Sequence, residues 1–349
     1  MPKLTCQFFG LFPAMNDYTK KQLSAQGGSA SGGKGFILKI SEKELLNISE
    51  LDPKTEVLGV FVGSKVDKNV FDYLPKLKLI VTMSTGFDHI DLAEAKKRQI
   101  PVCNVPTYGE NTVAEHAMAL LLSLSRRIYP SVKRVKEGVF NYDGLRGFDL
   151  KGKTLGVLGT GHIGAHLIRM AKGFEMNVIA FDAFPNPKLA KELDFEYLPF
   201  PKVLANSDIL SLHLPLFKET THIINKANIK KMKKGAYIIN TARGGLIDPE
   251  ALVWGLETGL IAGAGLDVLE EEDELAHPDH IILHNHSNEE MRAVLMDEIL
   301  IDHPNVIITP HNAFNSLEAL KRIMDTTIEN VLGFASGKII NDVTVPKKK

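Results

Sequence analysis

The chain has 349 residues, 44% of them hydrophobic and 24% charged, with a formal net charge of −1. That length exceeds what one hydrophobic core usually covers and predicts two compact units, while the near-zero charge supplies no field for gathering nucleic acid or anionic lipid, leaving small molecules and other protein subunits as partners. Two cysteines, Cys6 and Cys103, are too few for a disulfide framework, the opening MPKLTCQFFGLFPAMND lacks a signal-peptide pattern, and no apolar run is long enough for a membrane span; a cytoplasmic protein is expected.

In the first hundred residues KLTCQFF, VLGVFV, LKLIVTMS and IPVCNV read as strands, and EKELLNI, KNVFDYL and DLAEAKKR between them read as amphipathic helices, together an α/β layer. GGSASGGKG (27–35) is a flexible loop by composition; its Gly-Lys lacks the spacing and the following Ser or Thr of a phosphate-binding P-loop. One long helix is expected from Glu110 to about Lys136, with Val113, Met118, Leu121, Leu122 and Leu124 on its apolar faces. Alternation then resumes, with KTLGVLG, MNVIAFD, DILSLHLP, GAYIINTA, AGAGLDV and VIITPH as strands and helices between most of them. Asp248 and Pro249 suit the N-cap and first turn of a helix closing near Gly259. Repeated strand-then-helix order implies a parallel, doubly wound sheet.

In TLGVLGTGHIGAHLIRMA, Gly159, Gly161 and Gly164 stand between a strand and a helix. Gly159 permits a tight turn, Gly161 admits a pyrophosphate close to the backbone, and Gly164 lets helix and strand pack together, with the phosphates meeting the helix N-terminus. The next strand, NVIAFD, ends in Asp182, whose carboxylate can accept a ribose 2′-hydroxyl and would repel a 2′-phosphate. Neither Arg nor Lys occurs in the following AFPN, so NAD is expected over NADP.

Ligands of open parallel sheets bind beyond the carboxyl ends of the strands. Three polar residues fall there: Arg243 after AYIINTA, Glu272 after GAGLDVLE and His311 after VIITP. Hydride transfer to a carbonyl needs a proton donor for the developing alkoxide, a role that suits His311. A carboxylate from Glu272 against the ring would fix its tautomer and raise its pKa, and Arg243 offers a planar fork for a substrate carboxylate.

The sequence resembles the D-isomer-specific 2-hydroxyacid dehydrogenase family through STGFDHID (84–91), NVPTYGENTVAEHA (104–117), GTGHIG (159–164), HLP (213–215), NTARGGLID (240–248), GLDVLEEE (265–272) and ITPH (308–311). The resemblance implies two doubly wound parallel-sheet domains, a Rossmann NAD domain and a flavodoxin-like substrate domain. It divides the chain into 1–107 (substrate domain), 108–313 (NAD domain) and 314–349 (return to the substrate domain). It also implies that Arg243, Glu272 and His311 are catalytic and that the Thr85–Gly86 backbone holds the substrate carboxylate. His162 and Ile163 would lie at the pyrophosphate, Asp182 at the ribose and Asp267 at the nicotinamide amide, with His213, Pro215, Thr241 and Ala242 lining the cofactor. The 110–136 helix resembles the family's dimer-forming element, so a homodimer is expected.

Tyr108 and the long segment between Glu272 and His311 resemble the D-lactate dehydrogenase branch in particular. The chain departs from that branch at Met83, Gly63 and Phe314-Asn315; a missing aromatic at Gly63 predicts an enlarged side-chain pocket. The expected reaction is NADH-dependent reduction of a 2-keto acid, pyruvate or a bulkier analogue, to the D-2-hydroxy acid. Hydroxypyruvate, glyoxylate or a phosphoglycerate-type substrate, with Lys65 as its one nearby cation, and an NAD-sensing corepressor-like role stand as alternatives. His277, His280, His284 and His286 cluster in HPDHIILHNH, but no cysteine joins them, and no metal is expected there.

Overall fold

A computed structural model of the chain describes residues 3–26, 35–272, 275 and 287–345. Residues 27–34 of the glycine- and serine-rich loop, and His277, His280, His284 and His286, lie outside the described residues. The chain divides into two compact units, Met1–Tyr108 with Asn315–Lys349, and Gly109–Phe314.

The first unit contains β1 (Leu4–Phe8), α1 (Asn16–Gln26), β2 (Phe36–Ile40), β3 (Val57–Val60), α2 (Lys68–Tyr73), β4 (Leu79–Thr82), α3 (Leu92–Lys97) and β5 (Val102–Cys103). All pairings are parallel and the order is β2-β1-β3-β4-β5, the flavodoxin-like doubly wound arrangement. VLGV and LIVT are buried at every position, as central parallel strands covered on both faces require. The edge strand β2 was not among the expected strands; five residues directly after the glycine-rich loop, FILKI, carry too short a run to show a strand period.

EKELLNI does not form the expected helix. Its backbone is drawn into tertiary bonds instead: Lys43 O accepts from Gly10 N at 2.8 Å, Ser41 O from Leu11 N at 3.1 Å, and Leu45 N donates to Ser64 Oγ at 2.9 Å. Only a single 3₁₀ turn, Ile48–Glu50, follows, capped by Asn47.

The second unit opens with α4 (Glu110–Ser125) and α5 (Ile128–Lys136), so the expected single helix is broken. Arg127 is left-handed (φ 54°), and Pro130 in the first turn of α5 could not continue the helical ladder, because it lacks an N–H and its ring would strike the carbonyl four residues back. Next come β6 (Thr154–Leu158), α6 (His162–Gly173), β7 (Asn177–Phe181), α7 (Pro187–Leu193), β8 (Glu196–Tyr197), α8 (Phe200–Asn206) and β9 (Ile209–Leu212). They are followed by β10 (Ala236–Asn240), α9 (Pro249–Glu257), β11 (Ile261–Leu266), α10 (Asn288–Asp302) and β12 (Val306–Ile308). The seven parallel strands run β12-β11-β10-β9-β6-β7-β8, a Rossmann order whose direction reverses at β6. Helix α9 begins as read, with Asp248 Oδ1 accepting Ala251 N at 3.2 Å and left-handed Gly259 closing it. Two-residue β8 carries too few residues for a periodic signal.

The chain returns to the first unit as α11 (Leu317–Ala335), whose Ile328, Val331, Leu332 and Ala335 pack on Cys6, Phe8, Leu79 and Val81. Among the described residues no helix is long and apolar enough to cross a membrane. Buried Asn330 fastens this helix to the sheet, donating to Asn104 O at 3.0 Å and accepting from Asn341 Nδ2 at 2.9 Å. Replacing Asn330 by Ala strands both partners and is expected to lower unfolding stability by about 1–3 kcal/mol in urea titrations.

Candidate active site

The turn after β6 is constrained at two glycines for different reasons. Gly159 has φ +91°, and a Cβ there would sit 2.6 Å from the His213 carbonyl oxygen; at Gly164 a Cβ would sit 2.1 Å from Gly159 O. At Gly161 a Cβ would meet nothing within 4 Å, so room lies open over the N-terminus of α6, where a pyrophosphate can reach the first amides. Asp182, just past β7, accepts Thr160 N at 2.7 Å and Thr160 Oγ1 at 2.9 Å on Oδ2, and Phe184 N at 2.9 Å on Oδ1. The carboxylate is thus held in place with Oδ1 capacity remaining for a ribose hydroxyl. Thr160 also bonds the Tyr197 hydroxyl at 2.7 Å, which ties this corner to the β8 strand absent from the sequence reading.

Other expected cofactor residues surround this turn or lie along the same strand ends. His162 is exposed, 3.8 Å from the Glu110 carboxylate, and Ile163 packs on the core. His213 Nε2 is 2.8 Å from Ser211 Oγ, and burial pushes its pKa down to about 4, so the imidazole is neutral. Exposed Pro215 has its carbonyl bonded by Thr220 Oγ1 at 2.7 Å. Thr241 Oγ1 is buried without a partner among the described residues, and Ala242 N is held by Asn240 Oδ1 at 3.0 Å. An open glycine cradle, an anchored acid and an orphaned hydroxyl at neighbouring strand ends fit NAD.

Strands β10, β11 and β12 are adjacent, and their ends carry Arg243, Glu272 and His311. The first two ends interlock at Gly244, where a Cβ would lie 1.9 Å from Leu269 O and 2.4 Å from Glu270 N. Arg243 NH1 donates to Ala242 O at 2.7 Å, and Asn240 Nδ2 to Arg243 O at 2.8 Å. His311 Nδ1 lies 2.7 Å from Glu272 Oε1. A carboxylate only accepts, so Nδ1 carries the proton in this pair. Burial alone would lower the His311 pKa, and Arg243 opposes its charge as well; the hydrogen bond and negative charge of Glu272, helped by Asp267, outweigh them and leave the pKa raised.

Asp267 does more than its motif implied. Its buried carboxylate accepts Asn312 N at 3.0 Å, Ala313 N at 2.8 Å and the Thr309 hydroxyl, and its carbonyl accepts His311 N at 2.9 Å. His116 joins the same network, with Nε2 2.9 Å from Thr309 Oγ1 and 3.4 Å from Asp267. His116 and Thr309 lie within the quoted AEHA and ITPH segments, yet nothing in the linear sequence announces that they meet.

In the first unit, the turn after β4 ties back its carbonyls: Asn104 Nδ2 donates to Thr85 O at 2.8 Å and Ser84 Oγ to Gly86 O at 2.6 Å. The Thr85 and Gly86 amides have no acceptor among the described residues, which leaves two donors for an anion. Tyr108 O accepts from Arg322 Nε of α11. The room expected at Gly63 is occupied: a Cβ there would lie 1.8 Å from Glu44 Oε2, and Gly63 N donates to Glu44 Oε1 at 3.2 Å.

A further acid supports the turn that carries Glu272 without any sequence signal. Asp297, 1% exposed on α10, accepts Glu271 N at 3.1 Å, and burial, with Glu270 and Glu272 adding like charge, pushes its pKa up to about 7. The folded protein therefore holds this proton between about pH 4 and pH 7 while the unfolded chain has released it, so this group's contribution falls as pH rises through that window. Asp297→Asn is expected to flatten the decline in melting temperature between pH 5 and pH 8, measured by scanning calorimetry on both proteins.

A family model described as "D-isomer specific 2-hydroxyacid dehydrogenase, NAD binding domain" matches residues 118–313. D-lactate dehydrogenase of Escherichia coli is 38% identical over 285 residues, 81% of this chain and 84% of that protein. Glyoxylate reductase of Korarchaeum cryptofilum is 37% identical over 288 residues, 81% of each chain. The crystal structure of D-lactate dehydrogenase from Aquifex aeolicus, complexed with NAD and lactic acid, superposes with a TM-score of 0.84 at 34% identity, covering 98% of this chain and all of that one. The chain belongs to the D-isomer-specific 2-hydroxyacid dehydrogenase family. It is an NAD-dependent D-2-hydroxyacid dehydrogenase, and within the family it resembles the D-lactate dehydrogenase branch.

Proposed function

We propose that this enzyme reduces a small 2-keto acid, pyruvate or a bulkier analogue, to the corresponding D-2-hydroxy acid, with Arg243, Glu272 and His311 as its catalytic residues. The observation that carries the reading is the 2.7 Å Glu272–His311 pair with the Arg243 charge acting on the same imidazole. Two names among the relatives support the substrate class: D-lactate dehydrogenase and glyoxylate reductase both denote 2-keto acid chemistry. The second name keeps glyoxylate in view as an alternative substrate.

When bound, the cofactor would supply a hydride to the keto carbon in its reduced form, NADH, and in its oxidised form, NAD, would take one from the hydroxy acid in the reverse reaction. The free Thr85 and Gly86 amides would hold the substrate carboxylate and Tyr108 would contact the substrate, while the Arg243 guanidinium would polarise the keto group. His311 Nε2 gives a proton to the carbonyl oxygen, and Glu272 stabilises the imidazolium that must be present beforehand and keeps the ring aimed. Gly159 and Gly164 shape the turn on which Gly161, His162 and Ile163 receive the pyrophosphate; Asp182 takes the ribose, Asp267 lies toward the nicotinamide amide, and His213, Pro215, Thr241 and Ala242 line the cofactor.

A panel of 2-keto acids assayed by loss of NADH tests the reading, and no turnover on any of them would sink it. His311→Ala is expected to lower kcat by about 10²–10⁴. Reduction needs protonated His311, so its rate falls as pH rises through that pKa; because Glu272 raises the pKa, Glu272→Gln is expected to move the fall to lower pH.

We further propose a cytoplasmic homodimer. The buried, free thiols of Cys6 and Cys103 suit a reducing compartment, and α5 with the residues after it exposes Tyr129, Val132, Val135, Phe140 and Tyr142, large apolar side chains of the kind that a subunit interface covers. Val132→Arg with Phe140→Asp is expected to halve the sedimenting mass in analytical ultracentrifugation.

A further inference from the structure

The turn after β4 owes its shape to three consecutive carbonyls, each held by a different donor. A peptide unit is planar, so a hydrogen bond on one carbonyl oxygen also fixes the direction of the next residue's N–H. Val105 N donates to Ser84 O at 3.0 Å and aims the Thr85 amide, and Asn104 Nδ2 donates to Thr85 O at 2.8 Å and aims that of Gly86. Both donors belong to the segment just past β5. The third bond, from Ser84 Oγ to Gly86 O at 2.6 Å, sets the peptide plane that follows. Gly86 has the widest backbone freedom of any residue type, so the bonds on its two flanking planes are what restrain it.

That third bond ends a largely buried chain. Thr82 Oγ1 is 2.6 Å from Ser84 Oγ and 3.1 Å from His89 Nε2, and Thr82 and Ser84 are 0% and 2% exposed. The proton directions follow from counting. A carbonyl only accepts, so the single Ser84 hydroxyl proton points at Gly86 O and Ser84 Oγ accepts from Thr82; the Thr82 proton is then used, so Thr82 Oγ1 accepts from His89 and Nε2 carries a proton. All three bonds run one way, from the ring to the Gly86 carbonyl, and each polarises the next. The base of the ring is fixed as well: His89 O accepts Val66 N at 2.9 Å, and Asp91 N donates to Val66 O at 2.9 Å.

We propose that His89 is a positioning residue for the substrate: through Thr82 and Ser84 it holds the Gly86 carbonyl and so keeps the Thr85 and Gly86 amides converged on one carboxylate. This rests on the reading above that those amides hold the carboxylate of a keto acid. In this role His89 acts through the turn, and losing one link of the chain weakens binding by about two- to tenfold.

The test is steady-state kinetics on the full-length protein with NADH and a 2-keto acid that the wild type reduces. His89→Leu, Thr82→Val and Ser84→Ala are each expected to raise the keto-acid KM about two- to tenfold while kcat and the KM for NADH change little, and His89→Gln, which keeps an N–H donor, to stay near wild type. Because His89 acts through Thr82, adding His89→Leu to Thr82→Val is expected to raise KM no further. Additive effects in that double variant, or a raised KM in Ser84→Ala with none in His89→Leu, overturn the role of His89 and leave the keto-acid reading standing. A KM unmoved in all three single variants, even where melting curves show lost stability, overturns both the relay and the placement of the carboxylate. Absence of wild-type turnover on every 2-keto acid overturns the keto-acid reading and this inference with it.

Discussion

The buried carboxylate of Asp267 is the fixed point about which the reactive end of this molecule is built. An ion taken out of water is costly unless its lone pairs are met, and Asp267, 1% exposed, meets them with two backbone amides and a hydroxyl from the turn after β12. His311 within that turn holds a left-handed φ of 47°, a conformation unfavourable for a residue with a Cβ. It persists because residues on both sides of it are bonded to the same acid. The ring then has one orientation, with Nδ1 toward Glu272, and the tautomer follows from the geometry instead of being chosen by the ligand.

The partner of that histidine belongs to a run of three glutamates, which would repel one another if all three carried charge into the same turn. Two of the three carboxylates are paired with histidines. His222 meets the Glu270 carboxylate at 2.7 Å and His311 meets that of Glu272, while Asp297 holds the backbone amide of Glu271 and so fixes the turn that spaces the three side chains. Asp297 itself, with a pKa near 7, carries little charge at mildly acidic pH, so it can accept hydrogen bonds from the turn without fully adding to its negative field. Gly244 completes the arrangement by letting the Arg243 turn lie directly against Leu269 and Glu270, so that the arginine and the glutamate turns cannot shift independently.

What was legible in the sequence is what buried parallel strands and glycine make unavoidable. VLGV, LIVT, ILSL and AYIIN are largely apolar because both sheet faces are covered, and the candidate site residues appear where such runs end. Gly159 and Gly164 were legible because no other residue fits a carbonyl at those distances. Elements decided by distant partners were not. EKELLNI has helical spacing but its backbone is claimed by Gly10, Leu11 and Ser64, and the 110–136 stretch keeps an apolar face while Pro130 breaks its ladder. His116 and Thr309 are 193 residues apart in the chain, and Asp297 reads as an ordinary polar position on an amphipathic helix.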